Sequence, residues 1–138
     1  MTKILYDLET MKFSTYFETL TRAKLKDCFK EGDGLTFIIM PGFLAKAIGK
    51  GGANIKKVST RLNKQIKVIE FDEDVIKFIR KAIYPVKNVD IEQRESNILI
   101  HCPDNKTKGL VYGRERERLK NLVSLVKRYF KIDDIKID

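Results

Sequence analysis

The sequence is short of the residues from which most catalytic and metal sites are built. Its 138 residues include no tryptophan, one histidine and two cysteines. Cys28 and Cys102 lack the Cys-x-x-Cys or Cys/His spacing of a zinc or redox site, so we predict that both are reduced structural thiols. No carboxylate pair and no nucleophile beside a base is visible. The sequence therefore predicts a protein that is not an enzyme and that has no metal and no cofactor.

A long hydrophobic stretch is also missing. No apolar run approaches the roughly 18 residues that a membrane span requires. The stretch Met1–Leu20 mixes acids, lysines and aromatic residues, unlike the basic-then-apolar layout of a signal peptide. We therefore expect a cytoplasmic protein with no membrane partner. The length suits one mid-sized domain or two small ones, and an apolar fraction of 43% is enough for a core.

Acidic residues are scarce in two segments of this chain, whose net charge is +9. From Pro41 to Ile69 there are seven lysines and arginines and no acid. From Asn105 to Lys131 there are nine against two glutamates. Charge segregated in this way indicates a polyanionic partner, whereas a merely solvated surface mixes the two signs. Lysine-rich helices that simply face water are the alternative explanation.

The order of helical and extended patterns recurs after about half of the chain. We predict α-β-β-α-α-β in a first domain, residues 1–71, and again in a second, residues 72–138. A shift of 64 residues places Gly49 on Gly113 and Ile55 on Leu119, which indicates a duplication. The predicted elements are Leu8–Leu20, Ala23–Phe29, Leu35–Met40, Phe43–Ile48, Ala53–Leu62 and Ile66–Phe71, then Asp74–Ile83, Val86–Glu92, Asn97–Cys102, Thr107–Tyr112, Arg116–Phe130 and Ile135–Ile137.

The stretch from Ala47 to Ile55 places three glycines and a lysine between two helical patterns. Glycine permits positive φ and, having no Cβ, lets another backbone approach closely. The next helix is predicted to begin at Ala53, and its free N–H groups and dipole favour an anion. With Lys50 at the tip, the loop suits a passing sugar-phosphate backbone, while Ile48 and Ile55 could support unstacked bases.

Other kinds of glycine loop do not fit this spacing. A Walker loop requires Gly-Lys followed by Ser or Thr, whereas here Lys50 is followed by Gly51. A dinucleotide-binding fingerprint requires glycines directly after the first strand, but the helix Phe43–Ile48 intervenes, so Glu70 is not expected to hold a ribose. A plain helix-helix turn remains the alternative, although it accounts poorly for three glycines in acid-free surroundings.

The stretch Ile48-Gly49-Lys50-Gly51-Gly52-Ala53-Asn54-Ile55 resembles the Gly-x-x-Gly signature of the KH family, whose loop clamps about four nucleotides of single-stranded backbone. The predicted order of elements is similar to the type II KH arrangement. Nearly the whole chain resembles the tandem KH region of the NusA family of transcription factors in its short archaeal form. The similarity extends to Lys26-Asp27-Cys28, Val68-Ile69-Glu70-Phe71 and the closing segment from Phe130 to Ile137.

This resemblance implies an α+β fold of two tandem type II KH domains, each with a three-stranded sheet covered by helices. It implies binding of single-stranded RNA, a role in transcription elongation or termination, and RNA polymerase as a possible partner of a monomeric protein. The residues expected to contact RNA are Ile48, Gly49, Lys50, Gly51, Gly52, Ala53, Asn54, Lys56, Lys57, Arg61, Arg114 and Arg116.

Some of these residues have a second interpretation. Asn54 could read a base edge or cap the helix. Lys56 and Lys57 are adjacent on a helix, so we expect at most one of them to face the RNA groove squarely. The second loop, Gly113 to Arg116, ends in arginine instead of glycine, and Glu115 would repel phosphate. We therefore expect the first domain to grip RNA. The arginines of the second would either contact phosphates or pair with Glu115 and Glu117 on a solvated helix.

Two other functions remain compatible with the sequence. The chain could be a KH-type RNA binder in ribosome assembly or RNA processing, which differs only in the RNA that it meets. Alternatively, it could be a protein-interaction scaffold that docks on RNA polymerase, in which case its binding would survive nuclease treatment.

Overall fold

The computed structural model describes residues Leu8–Asp138, which form two compact units divided between Asp72 and Glu73. Each unit contains helices and a three-stranded sheet in the order α-β-β-α-α-β, the order that the sequence predicts for each half. The predicted start of the first domain, at residue 1, lies outside the described residues.

The first unit is built around a sheet whose middle strand is β2. This strand runs antiparallel to β1 and parallel to β3, with Leu35 opposite Ile66. The first unit's helices and strands are α1 (Leu8–Thr21), β1 (Leu25–Glu31), β2 (Gly34–Ile39), α2 (Leu44–Ile48), α3 (Ala53–Leu62) and β3 (Ile66–Glu70).

The core of this unit joins the helices to one face of the sheet. Phe17 of α1 stacks on Phe37 of β2 with ring centroids 4.2 Å apart, and both side chains are fully buried. Ala47 of α2 and Val58 of α3 complete the same apolar cluster. Because α2 and α3 are each anchored by a buried side chain, the glycine loop between them is held from both ends.

The second unit repeats this plan. Its middle strand, β5, is antiparallel to β4 and parallel to β6. Phe78, Ile98, Ile100 and Val126 are fully buried. The elements of this unit are α4 (Val75–Ile83), β4 (Asp90–Arg94), β5 (Asn97–His101), α5 (Asn105–Tyr112), α6 (Glu117–Tyr129) and β6 (Asp134–Ile137).

Acidic side chains begin two helices of the second unit. Asp74 accepts hydrogen bonds from the backbone N–H groups of Ile76 and Lys77 at the start of α4. Asp104 accepts one from Thr107 at 2.7 Å at the start of α5, and this bond lowers the pKa of its carboxyl. Both carboxylates satisfy helix N–H groups that have no partner inside the helix.

The predicted strand Val86–Glu92 is wrong in both of its limits. The pairing register sets Asp90 opposite His101 and Arg94 opposite Asn97, so that only Glu95 and Ser96 form the turn. Glu95 adopts φ +56°, as tight two-residue hairpins require. The second half of β4 shows no alternation of apolar and polar residues, because its residues from Gln93 onward are exposed. The predicted strand therefore ended at Glu92, before the observed end at Arg94.

Candidate functional site

The loop between α2 and α3 is a single turn in which three glycines have positive φ. Gly49 lies at φ +76°, ψ +170°, Gly51 at φ +63°, ψ +22°, and Gly52 at φ +77°, ψ +15°. The N–H of Gly52 donates to the carbonyl of Gly49 at 3.1 Å, which closes the turn. Non-glycine residues rarely adopt these conformations, so the glycines match the backbone path.

The three glycines have different roles. A Cβ on Gly49 would lie 2.8 Å from the backbone nitrogen of Asn54, closer than atoms can pack. A Cβ on Gly51 or Gly52 would meet nothing within 4 Å. Gly49 therefore allows the loop to close on α3, whereas Gly51 and Gly52 leave its outer side open to another molecule.

Asn54 ties the loop together from within α3. Its side-chain amide nitrogen donates to the carbonyl of Lys46, near the end of α2, at 2.8 Å. Of the two interpretations of Asn54, capping of its own helix is not observed, since Gly52 is the N-cap residue and no side chain caps α3. The backbone N–H of Ala53 is also used within the loop, because it donates to the carbonyl of Lys50. Because no side chain caps α3, none of the chain's own side chains occupies the positive end of this helix dipole.

The basic side chains predicted for this site divide into two places. Lys50 is exposed at the loop tip. Lys56, Lys57 and Arg61 instead line a shallow recess between α1 and α3, together with Tyr16 and Leu20. Both adjacent lysines border this recess, and the expectation that at most one of them faces the RNA squarely stays a prediction. Ile48 and Ile55 beside the loop are half-buried, which leaves apolar surface next to the glycines.

The second loop follows the same backbone path although it has lost two glycines. Gly113 lies at φ +71°, ψ +178°, Glu115 at φ +54°, ψ +30°, and Arg116 at φ +61°, ψ +20°. These angles match those of Gly49, Gly51 and Gly52 to within about 16°. The N–H of Arg116 donates to the carbonyl of Gly113 at 3.2 Å, as in the first loop.

Arg118 has the structural role in the second unit that Asn54 has in the first. Its guanidinium donates to the carbonyl of Leu110 near the end of α5, at 3.4 Å. A Cβ on Gly113 would meet the Arg118 side chain at 2.6 Å. Arg118 is exposed, as Arg114 and Arg116 are, but it differs from them in donating this bond within the loop's support. Among residues 8–138, no ion pair joins these two arginines to Glu115 or Glu117, so that interpretation of them is not supported.

Sequence reasoning missed one candidate residue, Tyr112. The guanidinium carbon of Arg116 lies 5.2 Å from the centroid of the Tyr112 ring, a cation–π contact. Tyr112 occupies the position of Ile48 after the shift of 64 residues, so the duplication contained the signal that would have found it.

No helix in the described part of the chain is long and apolar enough to cross a membrane. Within the same residues, no group of three or more His, Cys, Asp or Glu side chains could hold a metal ion.

Comparisons with known proteins agree on one family. The model of the KH domain family matches residues 15–88. A probable transcription termination protein NusA from Halococcus morrhuae is 31% identical over 88% of this chain and 88% of its own length. The protein of that name from Methanocaldococcus jannaschii is 28% identical over 99% of this chain and 76% of its own length.

Two further similarities point the same way. The probable transcription termination protein NusA from Thermoplasma acidophilum is 27% identical over 99% of this chain and 97% of its own length. The crystal structure of APE1850 has a TM-score of 0.76, covering 96% of this chain and 100% of that one, at 22% identity. At this identity, the likeness to the solved structure concerns the fold alone.

Proposed function

Since this chain belongs to the archaeal NusA-like family of KH-domain proteins, we propose that it binds single-stranded nascent RNA during transcription elongation and termination. KH domains bind single-stranded RNA through their Gly-x-x-Gly loop. Several curated relatives bear the name of a transcription termination protein. We also propose that the second unit is a type II KH domain, because it repeats the element order and sheet topology of the first.

The observation that carries this proposal is the outer side of the first loop. Gly51 and Gly52 present bare backbone there, with nothing within 4 Å of where a Cβ would be. An RNA phosphate would pass over these two residues, close to the start of α3, and Lys50 would contact it from the loop tip. Ile48 and Ile55 would support unstacked bases beside the loop. Asn54 would act by holding the loop's shape.

The remaining basic residues would extend the path of the RNA backbone. Lys56, Lys57 and Arg61 would contact phosphates from the α1–α3 recess, where Tyr16 adds an aromatic surface. Arg114 and Arg116 would do so from the second loop through their side chains. A contact with RNA polymerase, a monomeric state and a cytoplasmic location stay predictions.

A double substitution with a matched control tests the loop assignment. Asp and Asn have nearly the same shape and both tolerate the left-handed backbone of Gly51 and Gly52. Only Asp adds negative charge where phosphate passes. We expect Gly51→Asp with Gly52→Asp to abolish binding of a labelled single-stranded RNA in fluorescence anisotropy, while Gly51→Asn with Gly52→Asn retains a measurable part of it.

Circular dichroism of both double variants would establish that they are folded. Equal RNA affinity of the wild-type chain and the folded Asp variant would refute the proposed site. To separate transcription from ribosome-related roles, RNA crosslinked to the chain in cells would be sequenced. Nascent transcripts are the expected product.

A further inference from the structure

The second unit has a recess at the end of α6 that lies away from the second loop. Its volume is about 630 Å³, within the range of ligand pockets. Its walls come from the start of α4, from Gln93 of β4 and from the segment that follows α6, and we call it the α4–α6 recess. Helix α6 spans 13 residues, so its first and last residues lie about 18 Å apart, and the second loop directly precedes the first of them.

Apolar side chains that the core holds in place form the walls of this recess. Val75 and Ile76 contribute from α4, and Phe130 and Ile132 from the segment after α6. Ile132 is buried and the other three are half-buried. The ring of Phe130 packs on that of the fully buried Phe78, with the ring centroids 5.7 Å apart. The recess is therefore formed before any partner binds, which lowers the entropy that binding costs.

The rim of the recess carries more negative than positive charge. Two acids, Glu73 and Asp74, line it against one base, Lys131. The carboxylate of Asp74 caps α4, whereas within residues 8–138 no ion pair or hydrogen bond engages the exposed side chain of Glu73. Helix α6 ends at Tyr129, so the negative end of its dipole also lies at this rim. A cationic group is therefore favoured beside Glu73.

The charge of this rim is the reverse of that at another recess of the second unit. That recess lies between α6 and β6, beside the second loop, and three bases, Arg116, Lys120 and Lys136, line it against the acid Asp134. A rim of that charge attracts phosphate groups, whereas the rim that contains Glu73 disfavours them. The α4–α6 recess is therefore suited to a partner other than RNA.

From these observations, we propose that the α4–α6 recess is a docking site for a protein partner. The partner inserts a large apolar side chain between α4 and the segment after α6, and it places an arginine or lysine of the same segment beside Glu73. A segment of this chemistry matches both the apolar walls and the acidic rim. The inference goes beyond the proposed function and does not depend on it, since no residue of the recess belongs to either loop.

A short cationic peptide tests the docking site. The probe is acetyl-Gly-Arg-Leu-Leu-Arg-Gly-amide, and its control carries glutamine in place of both arginines. A chain with a net charge of +9 repels a cationic peptide in general, so tighter binding of the arginine peptide requires a local acidic site. In NMR titrations of the isotope-labelled chain, we expect the arginine peptide to bind more tightly and to shift the amide signals of Val75, Ile76 and Gln93 most.

Three results of this titration would overturn the proposal. The first is that the arginine peptide causes no shifts. The second is that the largest shifts lie elsewhere in the chain. The third is that the same amide signals shift with protein concentration in the absence of peptide, because a second copy of the chain would then occupy the recess.

Two variants that each neutralise one charge of the rim should change the peptide affinity in opposite directions. Glu73→Gln removes the group that attracts arginine and should weaken binding about threefold, as the loss of an exposed ion pair does. Lys131→Gln removes a repelling charge and should strengthen binding by a similar factor. Glu117→Gln makes the same charge change as Glu73→Gln at the other end of α6, and it should bind the peptide like the wild type. All three residues are exposed, so we expect the variants to fold.

The same variants distinguish a protein site from an RNA surface. In fluorescence anisotropy with a labelled single-stranded RNA, Glu73→Gln and Lys131→Gln should both bind like the wild type. The far end of α6 lies about 18 Å from the second loop, beyond the screening length of about 8 Å at physiological salt. If Lys131→Gln weakens RNA binding and leaves peptide binding unchanged, the recess is an RNA surface and the docking site is refuted. If the wild-type chain binds the peptide as expected but no RNA, the proposed function fails and the docking site stands.

Discussion

At the scale of single residues, a substitution at Gly49 should destabilise the protein more than a substitution at Gly51 or Gly52. Gly49 occupies a region of φ and ψ that is nearly restricted to glycine, and its Cβ would collide with the backbone of Asn54. We expect Gly49→Ala to lower the free energy of unfolding by about 1–3 kcal/mol. Gly51→Ala faces open space and should cost about 1 kcal/mol, because only the left-handed conformation opposes it. Urea unfolding of both variants measures these changes in the free energy of unfolding. Equal changes in the two variants would contradict the different roles assigned to Gly49 and Gly51.

The sequence predicted the backbone conformation of the first loop better than the hydrogen bonds that hold it. Three consecutive features, the glycines, the lysine and the following helix, indicated positive φ and an open surface, because glycine is the residue that tolerates both. The bond from Asn54 to Lys46 was not predictable, since it depends on the angle at which α2 and α3 meet. The left-handed conformation of Glu115 and Arg116 was not predictable either, because both residues disfavour it when considered alone.

At the scale of secondary structure elements, the second sheet contains an ionic link that depends on pH. Nε2 of His101 on β5 lies 2.7 Å from Oε1 of Glu92 on β4, and its Nδ1 lies 3.1 Å from Oδ2 of Asp138. The hydrogen bond to Glu92, followed by that to Asp138, raises the pKa of His101, and the bond to His101 lowers the pKa of Glu92. Charged histidine is therefore favoured in the folded sheet.

This link should stabilise the protein in mildly acidic solution. A histidine whose pKa is raised on folding contributes its full stabilisation below its unfolded pKa of about 6.5 and loses it as the pH rises through the folded value. Glu92 stays ionised at about pH 5.5, above its unfolded pKa. We expect the melting temperature of the wild type to exceed that of His101→Gln, and the difference to be larger at about pH 5.5 than at about pH 9. Glu92→Gln should reduce this pH dependence, and a difference that is constant with pH would contradict the link.

The prediction of elements succeeded where one face of a segment was strongly apolar. The limits of α3 agree with the sequence pattern, because Val58 and Leu62 mark a clear helical face that packs on the sheet. β4 was misplaced because only Ile91 of the strand is buried, so that its exposed half resembles a loop in sequence. A hairpin register is set by the turn at Glu95 and by the partner strand, neither of which leaves an apolar pattern.

At the scale of the whole molecule, the net charge of +9 should appear in the salt dependence of RNA binding. Each single-strand phosphate that is neutralised contributes about −0.7 to the slope of log K against log salt concentration. Contact with about five phosphates therefore predicts a slope of about −3 to −4. Lys50→Gln should make this slope shallower by about 0.7. Anisotropy titrations over a range of potassium chloride concentrations measure both, and a flat response would argue against phosphate contacts.

The repeat of the fold could be predicted from the sequence, because the two halves share the spacing of their glycine and apolar residues and each contains one basic segment. The recess between α6 and β6 could not be predicted, since Leu119 and Val123 on the helix meet Ile135 and Ile137 only once the sheet has formed. These residues come from segments that each predict an element of their own, and nothing in either segment indicates the space between them.

The matching torsion angles of the two loops have a consequence for how such loops are recognised in other chains. Gly49–Gly52 and Gly113–Arg116 share one backbone trace, yet a search for paired glycines would find the first and pass over the second. What the two loops share is an internal tie, from Asn54 or Arg118 to a carbonyl eight residues earlier, and a glycine at the first position alone. Loops of this kind are therefore better counted by torsion angle and tie than by glycine content.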